Sequence, residues 1–213
     1  MESAPKSMTP YRESLKERII TSAMHSFAQK GIKAVKMDDI SSLLSISKRT
    51  LYEIYANKET LLFECFKVYN EEFEAHLERF DKSAKNVMQL LIEYYRMQMR
   101  TLSATNPLFY TEIQKYPQVV AYLEKLRMNQ NIKSLVFFQR GIREGYFRED
   151  VDYEIVTRIG EAGMRNVMES QMYNDFPLQE IFRNILFVLV RGFCTEKGQL
   201  ELERYLAQME LNI

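Results

Sequence analysis

Lys48, Arg49, Tyr52, Tyr55 and Lys58 crowd into one short run, SISKRTLYEIYANKETL, residues 45–61. Ammonium and guanidinium groups interleaved with phenols are not a bond-breaking set. They are a set for holding a polyanion. Cations neutralise phosphates, a phenol hydroxyl donates to a phosphate oxygen, and its ring lies against a sugar or a thymine methyl. Other chemistries find no support. The two histidines, His25 and His76, have no partner at zinc or triad spacing, and there is neither a Gly-rich phosphate loop nor a G-x-S-x-G. Cys65 and Cys194 stand far apart with no CxxC spacing and read as idle thiols in a reducing compartment. Asp38 and Asp39 read as helix-start residues, not as catalytic carboxylates. The sequence therefore predicts no catalytic residue, no metal and no cofactor.

Charge supports a polyanionic partner for one end only. The chain has 213 residues and no net charge, with 29 Lys/Arg against 29 Asp/Glu. Met1–Lys58 carries ten Lys/Arg and six Asp/Glu, a net of +4, so the remainder carries −4. A basic head on an acidic body directs the partner to the head. With 46% hydrophobic and 27% charged residues, and no apolar run reaching the ~18 residues a membrane helix needs, the chain reads as a soluble, cytoplasmic globular protein.

Helical spacing must position these groups. Leu15, Ile19, Ala23 and Phe27 fall four apart and mark one face of a first helix that Gly31 ends. Met37, Ile40 and Leu44 give a short second helix. Ser47 is the expected N-cap of a third, Lys48–Tyr55, burying Leu51 and Ile54 and turning Lys48, Arg49, Tyr52 and Tyr55 outward. Three such helices with a tight turn between the last two fit a helix-turn-helix, whose last helix enters the major groove. A long helix follows from about Lys58 to Phe80. Further helices are expected over Lys85–Ser103, Leu108–Lys115, the stretch to Glu144, Tyr153–Tyr173, Leu178–Cys194 and Leu200–Met209. With no βαβ alternation and no repeat, the fold class is all-α: a disordered tail over residues 1–10, a head over 11–57, and a larger helical body over 58–213.

Residues 17–66, ERIITSAMHSFAQKGIKAVKMDDISSLLSISKRTLYEIYANKETLLFECF, resemble the N-terminal domain of TetR-type transcriptional regulators. The first-helix spacing, DDI, TLYEIY and NKETL occur in that family's order. The resemblance implies phosphate contacts for Thr50, Tyr52 and Lys58, an aromatic position at Tyr55, and base contacts for Lys48 and Arg49. An Arg–guanine pair is worth ~1–3 kcal/mol of discrimination. Three departures stand out. Ser45 occupies a turn position often taken by Gly. Val35-Lys36 replaces a hydroxyl pair before the second helix, so Lys36 offers its ammonium there and joins the expected DNA-binding set. Arg49 replaces a common Gly.

The resemblance also implies a double-stranded operator, a homodimer, and a body that binds a small-molecule effector. Tyr94, Met97, Phe109, Tyr110, Phe137, Phe138, Met164 and Met168 are the expected pocket residues, since methionines and aromatics suit adaptable apolar pockets. Tyr95 and Met99 cluster beside them. Glu161 and Arg165 read as an exposed pair. The stretch Ile185–Val190 is apolar almost all round, which implies burial on two sides. Gly160 and Gly163 each cost ~1 kcal/mol inside a helix, which fits a close approach by another backbone or a ligand. Gly160, Gly163, Ile181, Ile185, Val188 and Leu189 are therefore expected at a dimer interface. The functional expectation is a ligand-responsive regulator, most simply a repressor. The alternatives are an activator, or a helical binding protein that has lost DNA.

Overall fold

The protein is described by a computed structural model covering residues 10–210, without the side chains of residues 131, 132, 209 and 210. The expected tail thus lies almost wholly outside the described residues. Among those residues there are ten α-helices and two short 3₁₀ turns, with one isolated bridge pairing Phe147 and Cys194. None of the helices is long and apolar enough to cross a membrane. The all-α expectation holds.

Packing divides the chain into two compact units. One takes in the described residues up to Glu72 together with Leu108–Tyr122, and the other takes in Phe73–Pro107 and the chain from Leu123 onward. The expected head, 11–57, falls wholly within the first unit. That unit is larger than the head, because the start of the fourth helix and residues 108–122 pack with it.

In the first unit α1 (Pro10–Lys30) buries Leu15, Ile19, Ala23 and Phe27 on the expected stripe. Gly31 closes it at φ +82°, a conformation that favours glycine, and its N–H donates to the Phe27 carbonyl at 3.0 Å. In α2 (Met37–Leu43) Met37 and Ile40 are buried. No hydroxyl caps this helix. Instead the Asp39 carboxylate accepts from the Lys36 backbone N–H at 2.8 Å, and the Lys36 ammonium, a donor only, takes no part in the cap. Ser45 takes the left-handed conformation, φ 53°, in the turn. Ser47 then caps α3 (Lys48–Ile54) by accepting from the Thr50 N–H at 3.0 Å. In α4 (Lys58–Asp81) the first turns bury Leu61, Leu62, Cys65 and Phe66. The short α6 (Pro107–Glu112) buries Phe109, whose ring stacks on Phe66 at 5.5 Å.

The second unit is built from the end of α4, α5 (Val87–Ala104), α7 (Pro117–Arg143) from Leu123 on, α8 (Tyr153–Glu169), α9 (Leu178–Phe193) and α10 (Glu196–Glu210). Its core gathers Val87, Met88, Leu91, Phe147, Phe187 and Phe193. Phe138 stacks on Tyr153 at 4.3 Å, and Phe147 meets Phe193 edge-on at 5.1 Å. Two glycines are dictated by this packing. A Cβ on Gly141 would fall 1.9 Å from the Phe147 ring, and one on Gly198 would fall 2.2 Å from the Tyr146 carbonyl oxygen.

Candidate nucleic-acid interface and cavity

Leu51, fully buried, fixes the phase of α3. Lys48, Arg49 and Tyr52 consequently face water. The first two side chains are 64% and 87% exposed, so their outer faces remain available to a partner. Each is held from the side. The Lys48 ammonium lies 2.5 Å from an Asp38 carboxylate oxygen, and the Arg49 Nε lies 2.8 Å from a Glu53 carboxylate oxygen. The hydrogen bond to Asp38 raises Lys48 above its ordinary value, and that to Glu53 does the same for Arg49. Pairs this exposed are weak and exchange readily for a phosphate or a base edge. Thr50 is half-buried, its hydroxyl 2.8 Å from that of Ser47. Lys36 is exposed.

Two of the expected contacts are less open than the others. Tyr55 does not face outward: it is 5% exposed, and burial pushes its phenol up to about 12. The reason is helical phase, because Tyr55 follows Leu51 by four residues and shares its inward face. Lys58 is half-buried, its ammonium 5.8 Å from the centre of the Phe27 ring. Burial lowers it, and the carboxylates of Glu112 and Asp39 act in the opposite direction. Sequence reasoning missed Glu112 altogether. Its carboxylate accepts from the Lys33 N–H at 2.6 Å, clamping the turn between α1 and α2 from 79 residues away, a distance no local pattern signals.

The second unit holds a cavity of about 650 Å³ between α4, α5, α7, α8 and α9. This volume suits a small organic molecule. Of the residues expected at a pocket, Tyr94, Phe137, Phe138 and Met164 line it. Burial raises the Tyr94 phenol, which hydrogen-bonds the Gln98 side chain. Met97, Phe109, Tyr110 and Met168 are not among the lining residues. Phe109 and Tyr110 instead meet edge-on at 5.6 Å within the first unit, where Phe109 is core. Phe73, Leu90 and Phe182 line the cavity and were not anticipated, because each falls on an ordinary apolar stripe.

The expected dimer residues divide as well. Ile181 is buried in its own unit, 8% exposed. Gly160, Ile185 and Leu189 border the cavity, so the second apolar side of α9 faces an internal space. A Cβ on Gly160 would lie 3.3 Å from a Leu189 methyl, and one on Gly163 would lie 3.7 Å from Ile185. The close approach that Gly160 permits is thus made by α9 of the same chain, while Gly163 meets α9 only at ordinary contact distance. Val188 alone of the six is a large side chain turned to solvent, 69% exposed, and Ile155 and Ile159 on α8 are exposed likewise. Glu161 pairs with Arg127 at 2.9 Å and not with Arg165.

Comparison with known proteins adds a sequence match to this geometry. Residues 19–65 match the domain described as "Bacterial regulatory proteins, tetR family". The chain is 24% identical over 176 residues to the HTH-type transcriptional repressor KstR2 of Mycobacterium tuberculosis, covering 80% of this chain and 88% of that one. It is 30% identical over 89 residues to the uncharacterized HTH-type regulator YhgD of Bacillus subtilis, 42% of this chain and 43% of the other. Among solved structures, a TetR-family regulator from Agrobacterium tumefaciens superposes with a TM-score of 0.70 at 17% identity, covering 86% of this chain and 99% of that one.

Proposed function

Because the chain belongs to the TetR family of bacterial regulators, we propose that it is a repressor that binds a near-palindromic operator as a dimer and is released by a small molecule. The observation that carries the reading is the outward face of α3, where Lys48, Arg49 and Tyr52 stand exposed inside the matched domain. Arg49 and Lys48 are the base-reading candidates. Lys36, Thr50, Tyr52 and Lys58 are the phosphate candidates, and the buried Tyr55 supports the helix instead of touching DNA. The Mycobacterium tuberculosis relative is described as a repressor, which favours repression over activation. The family is one of transcriptional regulators and not of enzymes.

Dimerisation is supported by the exposed Val188, Ile155 and Ile159, large apolar side chains on two helices that pack together. A two-fold dimer would place its recognition helices about one DNA turn apart, roughly 34–36 Å, or a multiple of it. The cavity is the effector site in this reading. α4 carries the coupling: it begins at Lys58, directly after the head, and its last turns, through Asp81, line the cavity. An effector that prefers the arrangement with wrongly spaced heads weakens operator binding by the same factor, typically ~5–150-fold. A DNA-binding role also implies the cytoplasm.

The test is to mix the purified protein with sheared DNA from its source organism and sequence the bound fragments. A near-palindrome should be enriched, and the enrichment should vanish when Tyr52 and Lys58 are both changed to Ala. No enrichment at low salt from a folded dimer would overturn the reading.

A further inference from the structure

The ionic rim of the cavity is out of balance. Glu74, Glu78 and Asp81 border it from one face of α4, at i, i+4 and i+7, and Glu161 borders it from α8. Only two of the described lining residues, Lys133 and Arg140, are cationic, and both are already divided. Lys133 pairs with Glu74 and lies 3.6 Å from Glu78. Arg140 pairs with Asp81 and, at 2.6 Å, with Glu144. Glu161 has its own partner, Arg127. Four lining carboxylates thus face two lining cations, an excess of two negative charges around one opening. Glu74 and Glu161 keep only 23% and 26% of their side-chain exposure, so water screens them incompletely. An anionic head entering here would have to take Lys133 or Arg140 from its carboxylates and strand them partly buried, which is costly.

The walls favour the opposite sign independently. Phe73, Tyr94, Phe137, Phe138 and Phe182 line the cavity, and aromatic faces attract cations through their quadrupole. Leu90, Ile185 and Leu189 supply an apolar bed beyond them.

We propose that the cavity takes a lipophilic cation: an amine or quaternary ammonium head set against Glu74 and Glu78, on an apolar body lying among the aromatic rings. This rests on the cavity being the effector site. Titration calorimetry of the full chain with decyltrimethylammonium, decanoate and decanol, each below its micelle concentration, tests both. The ammonium compound should bind about tenfold or more tightly than decanoate, equivalent to one good charge contact. In a Glu74→Gln, Glu78→Gln variant the ammonium should lose about that factor, and decanoate should gain because Lys133 is released. Should the variant fail to fold, the order of the three probes on the unaltered protein still decides. Decanoate or decanol binding as tightly as the ammonium compound would overturn the proposal while leaving the cavity an effector site. Binding of none of the three would overturn the effector site as well.

Discussion

Arg49 and Lys58 are both cations of the first unit, yet their surroundings give them different work. Arg49 stands free of the core on α3, tethered only by Glu53, where a guanidinium can reach a guanine edge. Lys58 sits half-buried at the start of α4, braced by Phe27 and beside two carboxylates, where it can meet a phosphate but not a base. Arg49→Ala should therefore cost ~1–3 kcal/mol at one position of each half-site and relax the preference there. Lys58→Ala should weaken specific and random DNA alike and reduce the salt slope by about one per head. Binding isotherms on both kinds of DNA check this, and identical effects of the two changes would refute the division. Much at this scale is legible in sequence, because caps and turns act locally: Ser47 and Gly31 do what their types suggest, and Ser45 takes the left-handed turn position where the resemblance expects Gly. Tyr55 was misjudged by putting its company of cations before its helical phase. Glu112 was invisible, since a contact spanning 79 residues leaves no local trace.

At the scale of elements, the helices follow from spacing, while their sidedness does not. The apolar girdle of α9 correctly implies two covered sides, but periodicity cannot say whether a side meets a core, a cavity or a partner. In the fold one side is core, through Ile181 and Phe187, another borders the cavity, and Val188 is left outward. Glycines are similarly ambiguous. Gly160 and Gly163 drew attention because they interrupt a helix, yet a methyl on Gly163 meets only ordinary contact distances. Gly198 drew none, and a methyl there would strike the Tyr146 backbone oxygen at 2.2 Å. Gly198→Ala should destabilise the protein by roughly 1–3 kcal/mol as the turn at Tyr146 is forced away. Gly163→Ala should be neutral or stabilising by up to about 1 kcal/mol through helix propensity. Denaturant unfolding of both variants distinguishes them, and a large loss at Gly163 accompanied by dissociation would place that glycine against a partner subunit.

For the whole molecule, the sequence discloses the head far better than the body. The head is short, its contacts are local, and its reading face is an unbroken run of residues. The cavity collects residues from five helices between Phe73 and Phe193, so only those with unusual types, such as Tyr94 and the Phe137–Phe138 pair, could be nominated in advance. The same contrast explains the charge. The +4 of Met1–Lys58 and the −4 of the remainder cancel in the total, and only their separation along the chain reveals a part suited to a polyanion. That suitability is the centre of the account. The most direct test is the equilibrium affinity of the purified protein for its recovered site over a series of salt concentrations. Two heads presenting the phosphate candidates Lys36 and Lys58 would neutralise about four phosphates, for which affinity should fall on the order of a hundredfold between roughly 50 and 200 mM salt, linearly on a double-logarithmic plot. An affinity that barely changes over that range would contradict a DNA-binding head.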